Sequence, residues 1–130
     1  MKRLIRLWLP PLVWIGLIYL VSAQQAVPSV PGVWDLLLKK AAHVLAYGVL
    51  AALYLRATRG SSLRDRPARV ISASLAVGYA LSDEYHQMSV PGRNGTYVDV
   101  VIDALGVAGA ILLDWRARAG CRGQQGTISQ

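Results

Sequence analysis

Four long apolar stretches constrain this chain more than any other feature of its sequence. A helix that crosses a lipid bilayer needs about 20 mostly apolar residues, because each residue adds about 1.5 Å along the helix axis. Hydrophobic residues make up 54% of the 130 residues, and most of them lie in these stretches. The sequence therefore predicts an all-α integral membrane bundle of four transmembrane helices. Their approximate limits are Leu4 to Val21, Leu36 to Leu55, Ala68 to Met88 and Val98 to Trp115.

The basic residues predict how these helices are oriented. Of the 14 Lys and Arg residues, eleven precede the first stretch, surround the second connection or follow the last stretch. Positively charged residues are retained on the cytoplasmic side of a membrane. The sequence therefore predicts a multi-pass protein of the plasma membrane with both termini in the cytoplasm. Its transmembrane domain would cover residues 1–115, followed by a polar cytoplasmic tail over residues 116–130. Since topology explains these charges, they do not indicate a nucleic-acid partner.

A cleavable signal peptide is the alternative interpretation of the first stretch. Two basic residues precede an apolar run that ends in Val21-Ser22-Ala23, a small-residue pattern typical of cleavage sites. Cleavage after Ala23 would leave three spans and an N-terminus outside the cell. The run is long for a signal peptide and contains Pro10 and Pro11 in its first half, which favours a retained helix.

Ionisable residues occur at a similar depth in three of the predicted spans. A rise of 1.5 Å per residue places His43 about 20 Å above Arg56, and Asp83 about 21 Å above Arg69. The aspartates of the fourth span, Asp103 and Asp99, lie about 16 and 22 Å above its cytoplasmic end. Each ionised group at such a depth costs about 2.5 to 3.5 kcal/mol on insertion scales. We therefore expect these side chains to face inward around a polar pocket that opens to the extracytoplasmic side.

Helical spacing places the polar side chains of each span on shared faces, because residues three, four and seven positions apart are neighbours on a helix. The three faces are Lys40, His43 and Tyr47; Asp83, His86 and Gln87; and Asp99, Asp103 and Gly106. The candidate catalytic residues are His43, Asp83, Glu84 and His86. The candidate substrate-binding residues are Lys40, Gln87, Arg93, Asp99 and Asp103. No metal ligand is predicted, since no helix carries a compact motif such as H-E-x-x-H, and the sequence leaves the cofactor open.

Several of these residues also fit structural roles. Thr96 and Asp99 have the spacing of a capping box at the start of the fourth span. Asp35 precedes an apolar run and fits a helix N-cap, while Lys39 fits a side chain that extends to the lipid headgroups.

Other residues of the spans are explained by packing. His43 could hydrogen-bond to a backbone carbonyl, and Tyr47 and Tyr79 are more often packing residues than catalytic ones. Gly106 and Gly109 lie among alanines, a composition that lets a membrane helix approach its neighbour closely.

Three short motifs resemble those of the VanZ-like membrane proteins, a family associated with glycopeptide (teicoplanin) resistance. They are K-A-A-H-V-L-A-Y at 40–47, S-D-E-Y-H-Q at 82–87, and P-G-R at 91–93 followed by Asp99, Asp103 and Gly106. The resemblance extends from about Asp35 to Gly109. It implies a helical, membrane-embedded bacterial protein and, for one branch, lower susceptibility to a lipid-anchored glycopeptide.

The chain departs from the resembling family at two positions. The family usually has aspartate directly before the motif lysine, where this chain has Lys39. The chain therefore lacks an acidic residue at that position, which puts such a partner for the motif lysine in doubt. It often has asparagine where this chain has Asp103, which raises the number of acids in the pocket.

Three classes of function are compatible with these observations. The favoured one is a non-enzymatic membrane protein whose polar residues form a structural network or bind a membrane lipid, a lipid-linked envelope precursor or an amphiphilic antibiotic. The alternative is a membrane enzyme that performs acid–base or metal-assisted hydrolysis or transfer on such a lipid, with Arg93 holding phosphate in its two-pronged guanidinium group. An ion or proton carrier ranks last, because four short helices enclose little space for a pathway.

Overall fold

The computed structural model describes residues 1–24, 32–91 and 96–127, with side chains described as far as Gly120. Within these ranges the chain forms helices and turns and no strand, which confirms the all-α class. Arg93, one of the candidate substrate-binding residues, lies outside the described residues. The helices are α1 Lys2–Ser22, α2 Val33–Gly60, α3 Asp65–Met88 and α4 Tyr97–Thr127.

Each helix covers its predicted stretch and extends beyond it. Helix α2 reaches Gly60 and α3 begins at Asp65, so the turn between them is shorter than the connection expected from the sequence. Helix α4 continues to Thr127, which makes most of the predicted polar tail helical. The sequence limits were set by apolar composition, whereas backbone hydrogen bonds continue along a helix whether its side chains are apolar or polar.

Successive helices run in opposite directions. Near the start of α1, the indole of Trp8 donates a hydrogen bond of 3.2 Å to Ser61 Oγ in the α2–α3 turn. At the other end of α1, Ser22 Oγ donates to the Asp83 carboxylate of α3 at 3.0 Å. Helices α2 and α4 therefore run in the same direction. We call the end with the α2–α3 turn the basic end and the opposite end, which carries Asp83, the acidic end.

Small side chains let the helices pack closely in the middle of the bundle. Ala51 of α2 and Ala76 and Ala80 of α3 are completely buried. The hydroxyl of Thr58 donates to the Tyr54 carbonyl of its own helix at 2.8 Å, so this buried polar group is satisfied locally. The core is therefore thin and rich in alanine, which suits helices that pack by close approach rather than around large apolar side chains.

Glycine is required where α2 and α4 meet. A Cβ atom added to Gly106 would collide with the backbone carbonyl of Val44, and one added to Gly48 would lie 3.2 Å from the Gly106 carbonyl oxygen. The expected close approach is confirmed at Gly106. It is wrong for Gly109, where an added Cβ would have no atom within 4 Å, because three further residues turn this position away from α2.

Large apolar side chains cover the outside of every helix. Leu9, Leu45, Val70 and Leu105 are each at least 53% exposed, and exposed apolar area of this extent is unusual for a water-soluble monomer. Helices α1 and α2 are long and apolar enough to cross a membrane, with mean hydropathies of 1.9 and 1.5. Only 11% and 17% of their apolar windows are buried, unlike the core helix of a soluble protein. These properties are those of a membrane protein.

Helices α3 and α4 do not reach the composition of a membrane span within the described residues. Charged side chains interrupt both of them, among them Asp83 and Glu84 in α3 and Asp99 and Asp103 in α4. Four transmembrane spans therefore remain a prediction for these two helices, which are the ones that carry most of the candidate site.

Candidate functional site

Asp83 is the centre of a buried hydrogen-bond cluster that joins three helices. Its Oδ2 atom accepts hydrogen bonds from the Tyr47 hydroxyl at 2.9 Å, the Ser22 hydroxyl at 3.0 Å and the Gln87 amide at 3.0 Å. All four side chains are at most 5% exposed. Three donors on one oxygen stabilise a carboxylate that has been removed from water, and they fix α1, α2 and α3 relative to one another.

Two acid–base pairs connect α2 to α4 beside this cluster. Lys40 Nζ donates to Asp99 Oδ1 at 2.9 Å, and His43 Nδ1 lies 3.0 Å from Asp103 Oδ1. Because the two helices run in the same direction, one turn along each leads from the first pair to the second. The pairs also differ in depth: the Lys40 side chain is 34% exposed, whereas that of Asp103 is 1% exposed. The site therefore extends from an accessible rim to a buried floor.

Tyr47 connects the two pairs to Asp83. Its ring lies nearly parallel to that of His43, with 6.4 Å between ring centroids and an interplanar angle of 18°, while its hydroxyl binds Asp83. The side chains of Lys40, His43 and Tyr47 thus lie on one face of α2, as their spacing predicts. We call the whole assembly the acidic cluster; it consists of Ser22, Lys40, His43, Tyr47, Asp83, Glu84, Gln87, Asp99 and Asp103.

Glu84 lies in this cluster without a hydrogen-bonded partner among the described residues. Its side chain is buried, with 2% of the residue exposed, and neither carboxylate oxygen forms a hydrogen bond within the described part of the chain. The backbone N–H of Thr96 faces the carboxylate but does not reach hydrogen-bond geometry. A buried carboxylate in this state is costly, so Glu84 is the least explained residue of the cluster if its role is structural.

His86 faces α1. Its imidazole stacks on Tyr19 with 5.0 Å between ring centroids, and its buried Nε2 atom has no hydrogen-bond partner among the described residues. With Ser82 and Ser89 it lines a small groove between α1 and α3, where Asp83 also contributes. Asp83 is therefore shared between the acidic cluster and this groove, whereas the two histidines lie on different helices and contact different partners.

Asp35 and Asp99, for which the sequence suggests helix-capping roles, differ in the structure. The N-cap of α2 is Gly32, and Asp35 lies in the first turn, where it forms a 2.7 Å salt bridge with Lys39. The N-cap prediction for Asp35 is therefore wrong, because the helix begins earlier than its apolar run. Thr96 precedes α4 and its hydroxyl donates to Asp99 at 2.8 Å. Asp99 also binds Lys40, so it serves both the helix start and the cluster.

Two members of the cluster, Ser22 and Tyr47, are not among the predicted site residues. Ser22 was part of a possible cleavage signal and Tyr47 was expected to be a packing residue, yet both donate to Asp83. Ser22 and Asp83 are separated by 61 residues, and no local pattern connects them. The i, i+3, i+7 series from Lys40 to Tyr47 was the only signal that could have identified Tyr47.

A second network of charged side chains lies at the basic end and consists of arginines that bind two aspartates. The guanidinium of Arg59 donates to both Asp114 oxygens at 2.5 and 2.6 Å and to Asp65 at 3.1 Å. Arg69 and Arg118 also donate to Asp114, at 3.1 and 3.4 Å. The hydrogen bond to Asp114 raises the pKa of Arg59 above its usual value. This network joins the end of α2 and the second half of α4 to the start of α3.

The chemistry available at the acidic cluster is proton transfer and hydrogen bonding. A histidine beside a carboxylate, together with hydroxyl and amide groups, can orient and protonate a polar ligand. In the described part of the chain, no group of three or more His, Cys, Asp or Glu side chains is arranged to hold a metal ion. Arg93 lies outside the described residues.

Comparison with known proteins identifies the family. The model of the VanZ/LLP1 family matches residues 3–117, which include every described residue of the acidic cluster and most of the basic end. No curated protein matches the chain, and no solved structure matches it. The matched region covers most of the 130 residues, so the resemblance in the three motifs is confirmed. The chain therefore belongs to the VanZ/LLP1 family.

Proposed function

We propose that this protein is a multi-pass protein of the bacterial plasma membrane that binds the polar headgroup of an envelope lipid or lipid-linked precursor at its acidic end. In this proposal all four helices cross the membrane as one domain over residues 1–115. Both termini and the basic end lie in the cytoplasm, so the acidic cluster opens to the extracytoplasmic side. The arginines of the basic end support this orientation.

The observation that carries the proposal is the excess of buried carboxylates in the cluster. Asp83, Glu84 and Asp103 are each at most 4% exposed, and among the described residues the basic groups paired with acids of the cluster are Lys40 and His43. A scaffold that needed only stability would gain by replacing a buried, unpaired carboxylate with an apolar side chain. Glu84 is the carboxylate to which this applies, since neither of its oxygens has a hydrogen-bonded partner among the described residues. Its presence supports a ligand that supplies hydrogen-bond donors or positive charge, as the amine and hydroxyl groups of a lipid headgroup do.

The same pocket provides a reason for the glycopeptide phenotype that the resemblance implies. A protein that holds a lipid headgroup or the polar part of a lipid-anchored glycopeptide at the outer surface would change how much antibiotic reaches its target. Arg93 is proposed to bind a phosphate of the ligand, since guanidinium groups bind two oxygens at once.

Helix α1 is proposed to be retained in the mature protein. Trp14 donates from its indole to the Ala46 carbonyl at 2.9 Å, and the Tyr79 hydroxyl donates to the Ile15 carbonyl at 3.0 Å. Cleavage after Ala23 would remove these contacts and the Ser22 donor of Asp83 as well. The packing of α1 therefore supports an intact first span over a signal peptide.

Reporter fusions test the proposed topology. At Ser62, a reporter that is active only in the cytoplasm should give a signal. At Pro91, the signal should come instead from a reporter that is active only in the periplasm. Both sites lie next to turns, so insertion should leave the helices intact. A periplasmic signal from Ser62 would contradict the four-span arrangement, and loss of the segment before Ala23 would contradict the retention of α1.

Glu84→Gln tests whether the cluster binds a ligand. The amide keeps the size of the side chain and removes a charge that has no hydrogen-bonded partner among the described residues. We expect the abundance of the protein in membranes to stay equal or rise. The affinity for the lipid headgroup should fall about tenfold or more, or the glycopeptide susceptibility of cells that make the variant should move by about that factor toward the value of cells with the empty vector. A hydrogen bond to a charged group is worth about 1.5 to 3 kcal/mol, which corresponds to such a factor.

Asp35→Asn is the matched control. It removes one carboxylate from the same end of the bundle, at a side chain that is 25% exposed and paired with Lys39, and it should leave the functional readout unchanged. If Glu84→Gln lowers function only in proportion to protein abundance, the cluster is structural and the binding proposal is wrong.

The alternative function is an enzyme that performs acid–base chemistry on a lipid-linked precursor. The 3.0 Å contact between His43 Nδ1 and the buried Asp103 favours it, because a carboxylate that orients an imidazole is a recurrent arrangement in acid–base catalysis. Asp103→Asn should abolish headgroup turnover by the purified protein while retaining headgroup binding. Binding without any turnover in the unmodified protein would leave the binding function alone.

A further inference from the structure

The basic end carries a groove between the start of α3 and the second half of α4. Arg64, Arg66 and Arg69 line it from α3, and Trp115 and Arg118 line it from α4. Its volume is about 860 Å³, within the range of pockets that hold small ligands. It lies at the opposite end of the bundle from the acidic cluster, so the proposed headgroup pocket does not account for it.

The charges around this groove are not balanced. Asp114 is fully engaged, since it accepts from Arg59, Arg69 and Arg118, and Asp65 pairs with Arg59 and Arg118. Arg64 and Arg66 are exposed and form no salt bridge with a carboxylate in the described part of the chain. Among the described residues in and beside the groove, five arginines (Arg59, Arg64, Arg66, Arg69 and Arg118) therefore accompany two aspartates, which leaves a local excess of three positive charges.

The surroundings of the groove are apolar. Trp115 is 53% exposed, and on the neighbouring turns Val70 and Leu112 are 65% and 45% exposed. Tryptophan with arginine at the edge of an apolar surface is typical of the zone where lipid headgroups meet acyl chains. A ligand bound here could place an anionic group among the arginines and apolar chains along α3 and α4.

We propose that this groove binds the phosphate of an anionic phospholipid headgroup. Arg64 and Arg66, which have no carboxylate partner in the described part of the chain, supply guanidinium groups that bind phosphate oxygens in pairs. Asp114 holds two other arginines of the groove, Arg69 and Arg118, in place. Bound lipid would fix the start of α3 against α4 from the cytoplasmic leaflet, which is rich in anionic lipid. The proposal concerns a second lipid site and does not depend on the ligand of the acidic cluster.

The experiment measures binding of phosphatidylglycerol to the full chain in phosphatidylcholine nanodiscs. Phosphatidylglycerol retained by the protein is counted by native mass spectrometry as its fraction in the disc is increased. Replacing Arg64 and Arg66 together by glutamine should lower the affinity about tenfold or more, since each basic residue near the surface contributes about 1 kcal/mol. Both side chains are exposed, so the fold should be unaffected, and melting of the helices by circular dichroism checks this.

Arg3→Gln with Arg6→Gln is the matched control, because it removes two exposed arginines from α1 at the same end of the bundle. A loss confined to the Arg64 and Arg66 variant supports the proposed site. Equal losses in both variants would mean general attraction to net positive charge and would overturn it. Displacement of phosphatidylglycerol by millimolar inorganic phosphate would also overturn it, because the groove would then bind a free anion rather than a lipid.

Discussion

Replacing Gly106 by alanine is expected to destabilise the bundle by about 3 kcal/mol and to reduce its abundance in membranes severalfold. The added methyl group would collide with the backbone carbonyl of Val44, and backbone atoms cannot move away by changing rotamer. Overpacking of a tight contact costs about 1 to 3 kcal/mol even where side chains can adjust. Separation of α2 from α4 would also lengthen the Lys40–Asp99 and His43–Asp103 contacts.

The control for this prediction is Gly109→Ala. That position is one turn further along α4, and an added Cβ would meet no atom within 4 Å. Because alanine is also the better helix former by about 1 kcal/mol, Gly109→Ala should be neutral or slightly stabilising. Unfolding of the purified protein in a series of detergent mixtures measures both variants. Equal stability of the two would refute the close packing of α2 and α4.

Asp83→Leu is expected to have an effect of similar size for a different reason. Removing the carboxylate leaves the Ser22 and Tyr47 hydroxyls without the acceptor they have in the structure, at positions that are at most 4% exposed. The Gln87 amide loses one acceptor and keeps Ser22 Oγ at 3.3 Å. An unsatisfied buried polar group costs about 1 to 3 kcal/mol. Allowing for partial rearrangement, we expect a loss of about 3 kcal/mol in the free energy of unfolding.

Two further variants separate the hydrogen bonds of Asp83 from its charge. Asp83→Asn keeps an acceptor oxygen and should lose only about 1 kcal/mol. Tyr47→Phe removes one of the three donors, so its free energy of unfolding should lie between those of Asp83→Asn and Asp83→Leu. The same unfolding assay measures all three variants. If Asp83→Leu is more stable than Asp83→Asn, the three donors find other acceptors and Asp83 does not hold the helices together.

The candidate site illustrates which parts of a membrane protein can be predicted from one sequence. Lys40, His43 and Tyr47 were placed on one face of α2 by spacing alone, and the structure brings that face against Asp83, Asp99 and Asp103. Spacing could not show that α1 takes part, because Ser22 contacts a residue 61 positions away. The spacing of four residues between Asp35 and Lys39 fits the salt bridge on their own helix, but the prediction began α2 at Leu36 and so placed Asp35 at its N-cap.

The sequence by itself determined the four helices, their approximate limits and the polar faces of α2, α3 and α4, because apolar length and helical periodicity are local properties of the chain. Only the tertiary structure decided the partners: Lys40 with Asp99, His43 with Asp103, and three donors on one oxygen of Asp83. It also decided that Gly106 and not Gly109 meets α2. These choices depend on the rotation of each helix about its axis and on where two helices cross, and both are set by contacts between residues far apart in the chain.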